Sequence, residues 1–226
     1  MSDLILPFPN LRRAGEQLAT TLRHKGVVGD FLVLAIVTAG VPVAFEVAKG
    51  LEAPVDLLLI RPLMTLGGAG TQACAVNVAG HLVLDDKLPP LADKPEKPFD
   101  YFMKDALDAL NQRVEKCRGK RQAISVMGRK ILLVDCGIRT SSTMQAAIGA
   151  LRKLDPKSIT TAVPVTSAEG RQIVEALADE FICMATPEPF GNAGMWYRDF
   201  SRPNDESISE LLASANGETR GATDAV

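Results

Sequence analysis

Lys130 to Leu154, KILLVDCGIRTSSTMQAAIGALRKL, is the stretch that decides the fold. Ile131 to Val134 is an unbroken apolar run, as expected for a strand covered on both faces. The run ends in an acid, Asp135, and turns through a hydroxyl-rich loop into a segment where Met144, Ile148, Leu151 and Leu154 recur at helical spacing. Ser142 and Gln145 fit an S-x-x-Q capping box at the start of that helix. Such a loop can bind phosphate. The first backbone N–H groups of a helix have no internal partner, and Thr140, Ser141, Ser142 and Thr143 add hydroxyl donors beside them. The helix dipole adds ~0.3–1 kcal/mol for a charge placed there. Asp135, at the carboxyl end of the strand, stands where open α/β sheets bind ligands and can accept hydrogen bonds from sugar hydroxyls.

The pattern repeats outward along the chain. Phe31–Val37, Val55–Ile60, Ile159–Val163 and Phe181–Met184 read as buried strands, and Val43–Leu51, Thr143–Leu154 and Ser167–Leu177 as helices. Thr166 and Ser167 are suited to cap the last of these, whose Ile173, Val174 and Leu177 share one face. Alternating strands and helices predict an α/β fold, a doubly wound and mostly parallel sheet. Met64–Gly80 is glycine-rich and predicts a loop followed by a short strand over Ala73–Val78. Lys87–Pro98, with four prolines among mixed charges, predicts a surface excursion leading to a helix over Tyr101–Cys117. Residues 1–215 are expected to form a single domain, and the polar residues 216–226 a disordered tail.

Charge and composition narrow the function. The 226 residues carry 25 Lys+Arg against 27 Asp+Glu, a formal net charge of −2. That balance argues against nucleic acid or an anionic membrane surface as a partner. With no apolar run long enough to span a bilayer and no signal-peptide layout in MSDLILPFPNLRR, a cytoplasmic location is expected. Cys74, Cys117, Cys136 and Cys183 form no C-x-x-C pair, and His24 and His81 are the only histidines. A disulfide framework, a zinc site and histidine-based catalysis are therefore poorly supplied.

LLVDCGIRTSSTM, Leu132 to Met144, resembles the phosphoribosyl-diphosphate (PRPP) signature of type I phosphoribosyltransferases. It is closest to the stand-alone bacterial proteins whose signature runs V-D-D-G-x-A-T-G-x-T-M. Other segments match these proteins in the same order: FPNLRRAGEQLA (Phe8–Ala19), LAIVTAGVPVA (Leu34–Ala44), VDLLLIRPL (Val55–Leu63), AVPV (Ala162–Val165) and TPEPFGNAGMWYRDF (Thr186–Phe200). The resemblance implies a Rossmann-like parallel sheet with a small hood built partly from the chain termini. Family members transfer ribose 5-phosphate from PRPP to a nitrogenous base or other nucleophile, with Mg²⁺ and release of pyrophosphate. Carried over, it implies that Asp135 binds a ribose hydroxyl and that Arg139, Thr140, Ser141, Ser142 and Thr143 cradle the 5′-phosphate. Val37, Thr38, Ala39 and Gly40 would form the pyrophosphate loop, with Arg61 near it. The implied partner is a phosphorylated small molecule, PRPP or a nucleotide, and a homodimer is the default assembly.

The departures from the family pattern fall on charged positions. Cys136 replaces the second acid of the signature, Arg139 a small residue and Ser141 a glycine. The family's P-R-G-G is here Val37-Thr38-Ala39-Gly40, so the arginine that would neutralise a leaving pyrophosphate is Thr38. Asn10-Leu11 stands for an Asp-Arg pair, Pro62 for a lysine and Gly70 for an acid. Three readings remain open at this level. The chain binds a ribose-5-phosphate ligand with weak or lost transferase activity, or it is an active transferase requiring Mg²⁺, or it is a non-catalytic structural or regulatory subunit. Individual residues carry alternatives as well. Asp135 could serve only to cap the following turn, and Cys136 is either an inert space-filler or a low-pKa thiol. Arg139 pairs with phosphate or with Asp135, and the Thr140–Thr143 run either binds phosphate or only caps the helix. Trp196, Tyr197 and Phe200 either pack the tail or stack a base.

Overall fold

The computed structural model describes residues 6–64, 72–84, 98–139 and 142–215. Along the chain run β1 (Phe8–Asn10), α1 (Leu11–His24), β2 (Phe31–Ile36), α2 (Gly40–Leu51), β3 (Val55–Met64), β4 (Gln72–Val78), β5 (His81–Leu84) and α3 (Pro98–Arg118). They continue with β6 (Lys130–Val134), α4 (Ser142–Arg152), β7 (Ser158–Val165), α5 (Ala168–Leu177), β8 (Glu180–Ala185), β9 (Tyr197–Asp199) and α6 (Asp205–Ala215).

The apolar runs become neighbours in one seven-stranded sheet of order β5-β4-β3-β2-β6-β7-β8. β3, β2, β6, β7 and β8 are parallel, and β4 and β5 extend one edge antiparallel. The fold class expected from the sequence is the one observed. All six residues of β2 are buried, and their alternation divides them between two cores. Phe31, Val33 and Ala35 pack with α1, α2, α3 and α6, whereas Leu32, Leu34 and Ile36 pack with α4 and with Val174 of α5. On α1, Leu11, Ala14, Gly15, Leu18, Ala19 and Leu22 form the buried stripe. Gly15 is required there, because a Cβ would lie 2.6 Å from the Val43 carbonyl oxygen of α2.

Several boundaries differ from the sequence reading. β3 runs on to Met64, past Leu58, its last residue paired with β2, and there pairs with β4. Pro62 is tolerated in this extension because, among the described residues, no strand pairs with its other edge there. Ser167 caps α5 as expected, its Oγ accepting from the Gly170 N–H at 2.9 Å, but Leu177 is exposed rather than part of the buried face. α4 already includes Ser142, which therefore lies within the helix rather than at its cap. Residues 65–71 of the glycine-rich stretch, 87–97 of the proline-rich one, and 216–226 lie outside the described residues.

The first and last strands of the described chain meet in a second sheet. β1 and β9 pair in parallel, Phe8 opposite Tyr197 and Asn10 opposite Asp199. The Tyr197 ring packs in tilted contacts against Phe8 and Phe200, with centroids 5.5 and 5.2 Å away. Asn10, where the resembled family has an acid, accepts from the Arg13 N–H through Oδ1 and caps α1, and Leu11 beside it is buried.

Candidate functional site

β2 and β6 mark the point where the sheet reverses. From β2 the chain crosses to β3 on one side, and from β6 to β7 on the other, so a crevice opens at their carboxyl ends. Both motif loops leave the sheet there. Val37–Ala39 links β2 to α2, and Asp135–Arg139 leads from β6 toward α4. The two connections touch: a Cβ on Gly40 would lie 3.1 Å from the Cα and Oδ1 of Asp135 and 3.1 Å from the Val134 carbonyl oxygen. The first loop is held by the Val37 N–H donating to the Leu58 carbonyl at 3.1 Å, and its Val37–Thr38 peptide is cis. Ala39 has φ −72° and ψ −20°, ordinary helical values, so replacing the family glycine places no demand on the backbone here. It caps α2 without any side-chain hydrogen bond.

Asp135 is half-buried, and its Oδ1 accepts from the Cys136 N–H at 2.7 Å. Burial pushes its carboxyl up to about 6, although the Cys136 N–H and thiol and the charge of Arg202 pull the other way. The group therefore changes charge just below neutrality. Cys136 is buried, and desolvation, followed by the neighbouring Asp135 carboxylate, raises its thiol well above the ordinary range. The thiol stays protonated. Tyr197 donates its hydroxyl to the Cys136 carbonyl, so β9 fastens the signature loop. Trp196 donates Nε1–H to the Phe190 carbonyl at 3.0 Å, and Phe200 carries Arg202 above its ring at 5.3 Å.

Arg139 is exposed, its carbonyl accepting from Ser167 Oγ at 2.8 Å, and among the described residues it forms no ion pair with Asp135. Thr140 and Ser141 lie outside the described residues, whereas Ser142 and Thr143 open α4, both half-buried. Arg61 is exposed on the β3 extension, and among the described residues no hydrogen bond joins it to the Val37–Gly40 loop. A different cation reaches Thr38. Arg113 of α3 donates Nη2–H to Thr38 Oγ1 at 2.8 Å and Nε–H to Asp205 Oδ1 at 3.0 Å.

Comparison with known proteins identifies the family and supports the fold. The family described as Phosphoribosyl transferase domain matches residues 3–191. The chain belongs to that family. The Mycobacterium tuberculosis protein named "Putative phosphoribosyl transferase Rv0571c" is 34% identical over 223 residues, covering 96% of this chain and 49% of the relative. The chain thus spans about half the length of the curated relatives it matches. TT1426 from Thermus thermophilus, a crystal structure, superposes with a TM-score of 0.74 at 30% identity, covering 92% of this chain and 98% of that one. A hypothetical protein from Neisseria gonorrhoeae, solved with bound ppGpp, shares the fold at a TM-score of 0.51 and 17% identity, covering 90% of this chain and 92% of that one.

Arg113, Asp205 and Arg202 escape a sequence reading. Arg113 lies 75 residues from Thr38 and 92 from Asp205, and no motif spacing links them. The only hint in the sequence is negative: a loop that has lost its own arginine invites a search for one elsewhere.

Proposed function

We propose that this phosphoribosyltransferase-family chain binds a ribose-5-phosphate-containing ligand, PRPP or a nucleotide, with weak or lost transferase activity. The ligand would lie in the crevice between β2 and β6. Asp135 would accept from the ribose hydroxyls, the loop from Arg139 to Thr143 would hold the 5′-phosphate, and Val37–Gly40 would face the diphosphate. The packing of Gly40 against Asp135 carries this reading, because it brings the two motif loops into one crevice at the sheet's reversal point.

The chemistry of the loops supports weak transfer. A transferase stabilises an oxocarbenium-like ribose and a departing pyrophosphate, which rewards paired negative charge on one side and fixed cations on the other. Here the acid pair is one carboxylate with a pushed-up pKa beside a neutral thiol. Among the described residues no group of three or more His, Cys, Asp or Glu side chains gathers to hold a metal. Mg²⁺ is ordinarily held by one or two carboxylates together with substrate phosphates, so an ion chelated by a diphosphate is counted as part of the ligand.

Titration calorimetry with ribose 5-phosphate, AMP and Mg²⁺–PRPP tests the binding, and pyrophosphate release in the presence of purine and pyrimidine bases tests the chemistry. Saturable binding without release above the protein-free rate is expected. Sustained release would establish an active transferase instead, and absence of binding by all three ligands would leave a structural or regulatory role.

A further inference from the structure

Thr38 stands where the resembled family has an arginine, yet a guanidinium from another element is bonded to its side chain. Arg113 reaches it from α3, donating to Thr38 Oγ1 at 2.8 Å while its Nε–H is held by Asp205 at the start of α6. α3 and α6 pack on each other, and α6 also contacts α2, the helix that begins at Gly40. The cation is thus fixed by three elements and half-buried rather than swinging in solvent. Both bonds use the Nε/Nη2 edge of the guanidinium, and the Nη1/Nη2 edge carries further N–H donors with the planar fork that suits phosphate oxygens.

We propose that Arg113 is the diphosphate-recognition residue of the crevice, standing in for the arginine absent at Thr38, with Asp205 as the residue that positions it. The inference rests on the phosphoribosyl reading of the crevice and deepens it: the preferred ligand is one that carries a diphosphate on the ribose, not the 5′-phosphate alone. Thr38 Oγ1 and the Asp205 carboxylate hold the guanidinium beside the loop, and the diphosphate oxygens accept from its other edge.

The test compares two ligands on the same preparations of the whole chain. Affinities for Mg²⁺–PRPP and for ribose 5-phosphate are measured by calorimetry for wild type, Arg113→Ala, Arg113→Lys and Asp205→Asn. Wild type is expected to prefer Mg²⁺–PRPP. Arg113→Ala is expected to weaken that ligand roughly 10–100-fold, the loss of a charge-assisted bond, while ribose 5-phosphate is unchanged. Arg113→Lys, which keeps the charge without the fork, should lose part of the preference, and Asp205→Asn likewise. If Arg113→Ala does not fold, the lysine variant decides by the same ratio. A preserved ratio overturns the inference. So does an equal loss of both ligands, which marks Arg113 as a structural tether, and so does a wild type that does not distinguish them. If wild type binds neither, the phosphoribosyl reading itself falls, which is a separate result.

Discussion

Gly40 and Asp135 are in contact where the two loops meet, so closely that a methyl group on the glycine would require the Asp135 backbone to give by a few tenths of an ångström. A Cβ there would sit 3.1 Å from the Asp135 Cα and 3.1 Å from the Val134 carbonyl oxygen, both backbone atoms that cannot swing aside. Gly40→Ala should therefore separate the two loops, lowering stability by ~1–3 kcal/mol, as overpacking does. Ribose 5-phosphate affinity should fall with it. Urea unfolding and calorimetry measure the two effects, and an alanine variant with wild-type values for both would show that the crevice does not depend on this contact.

Tyr197 and Cys136 are joined by a hydrogen bond between two buried residues. Removing the hydroxyl in Tyr197→Phe leaves the Cys136 carbonyl without that donor, for which ~1–3 kcal/mol of destabilisation is expected. An unchanged unfolding midpoint would mean that water replaces the hydroxyl.

Asp135 gives a pH signature with a definite sign. Its folded-state pKa of about 6 lies above the ordinary 3.8, so between those values the folded chain holds a proton that the unfolded chain has released. The contribution of this group to stability is therefore greatest below about pH 4 and falls as pH rises toward 6. Asp135→Asn keeps an oxygen for the Cys136 N–H and removes the titration. Plotted from pH 4 to 7, the difference in unfolding free energy between variant and wild type should move in favour of the variant and level off above pH 6. A flat difference would place the folded pKa near its ordinary value.

Two arginine–aspartate pairs should behave differently because water reaches only one. Arg118 and Asp56 are both buried, 2.6 Å apart, and Asp56 also accepts from the Leu57 and Ile124 N–H groups. Arg118→Ala leaves that carboxylate uncompensated inside the protein, with ~3–5 kcal/mol lost. Arg152 and Asp179 are also close, 2.8 Å, but both are well exposed, and Arg152→Ala should lower stability by no more than ~1 kcal/mol. Equal losses in thermal or urea unfolding would contradict this assignment of burial.

Much of this architecture was legible in the sequence where the signal was local. Phe31–Ile36 and Ile131–Val134 are apolar without interruption because they are covered on both faces, and the turn from Asp135 into α4 follows directly. What escaped was pairing over distance. β1 and β9 are three residues each, too short for a period, and exist because Phe8 and Tyr197 meet across the chain. The site divides in the same way. Asp135 and Gly40 were found because each sits in its own motif, whereas Arg113 reaches Thr38 only through the packing of α3 and α6 around the loop. Arg61, placed near the loop by the family resemblance alone, lies exposed on the β3 extension opposite Ala75.

Cys136→Asp restores the acid that the signature lacks, and burial determines what that does. Cys136 is 7% exposed and lies directly beside Asp135, whose carboxyl is already pushed up to about 6. A second carboxylate there meets both desolvation and a like charge, each disfavouring ionisation, so the free variant should be less stable by ~1–3 kcal/mol. Mg²⁺–PRPP supplies the opposite charge through its chelated cation and hydroxyl donors through its ribose. The variant should therefore gain more thermal stabilisation from Mg²⁺–PRPP than wild type does, while starting from a lower Tm, and the excess should shrink as the pH falls through 6 and the acids protonate. A scan of Tm against ligand concentration at pH 5 and pH 7.5 reads both effects. If the variant is destabilised but gains nothing extra from Mg²⁺–PRPP, the ribose and its cation do not lie against this pair of residues, and the placement of the ligand over Asp135 is wrong.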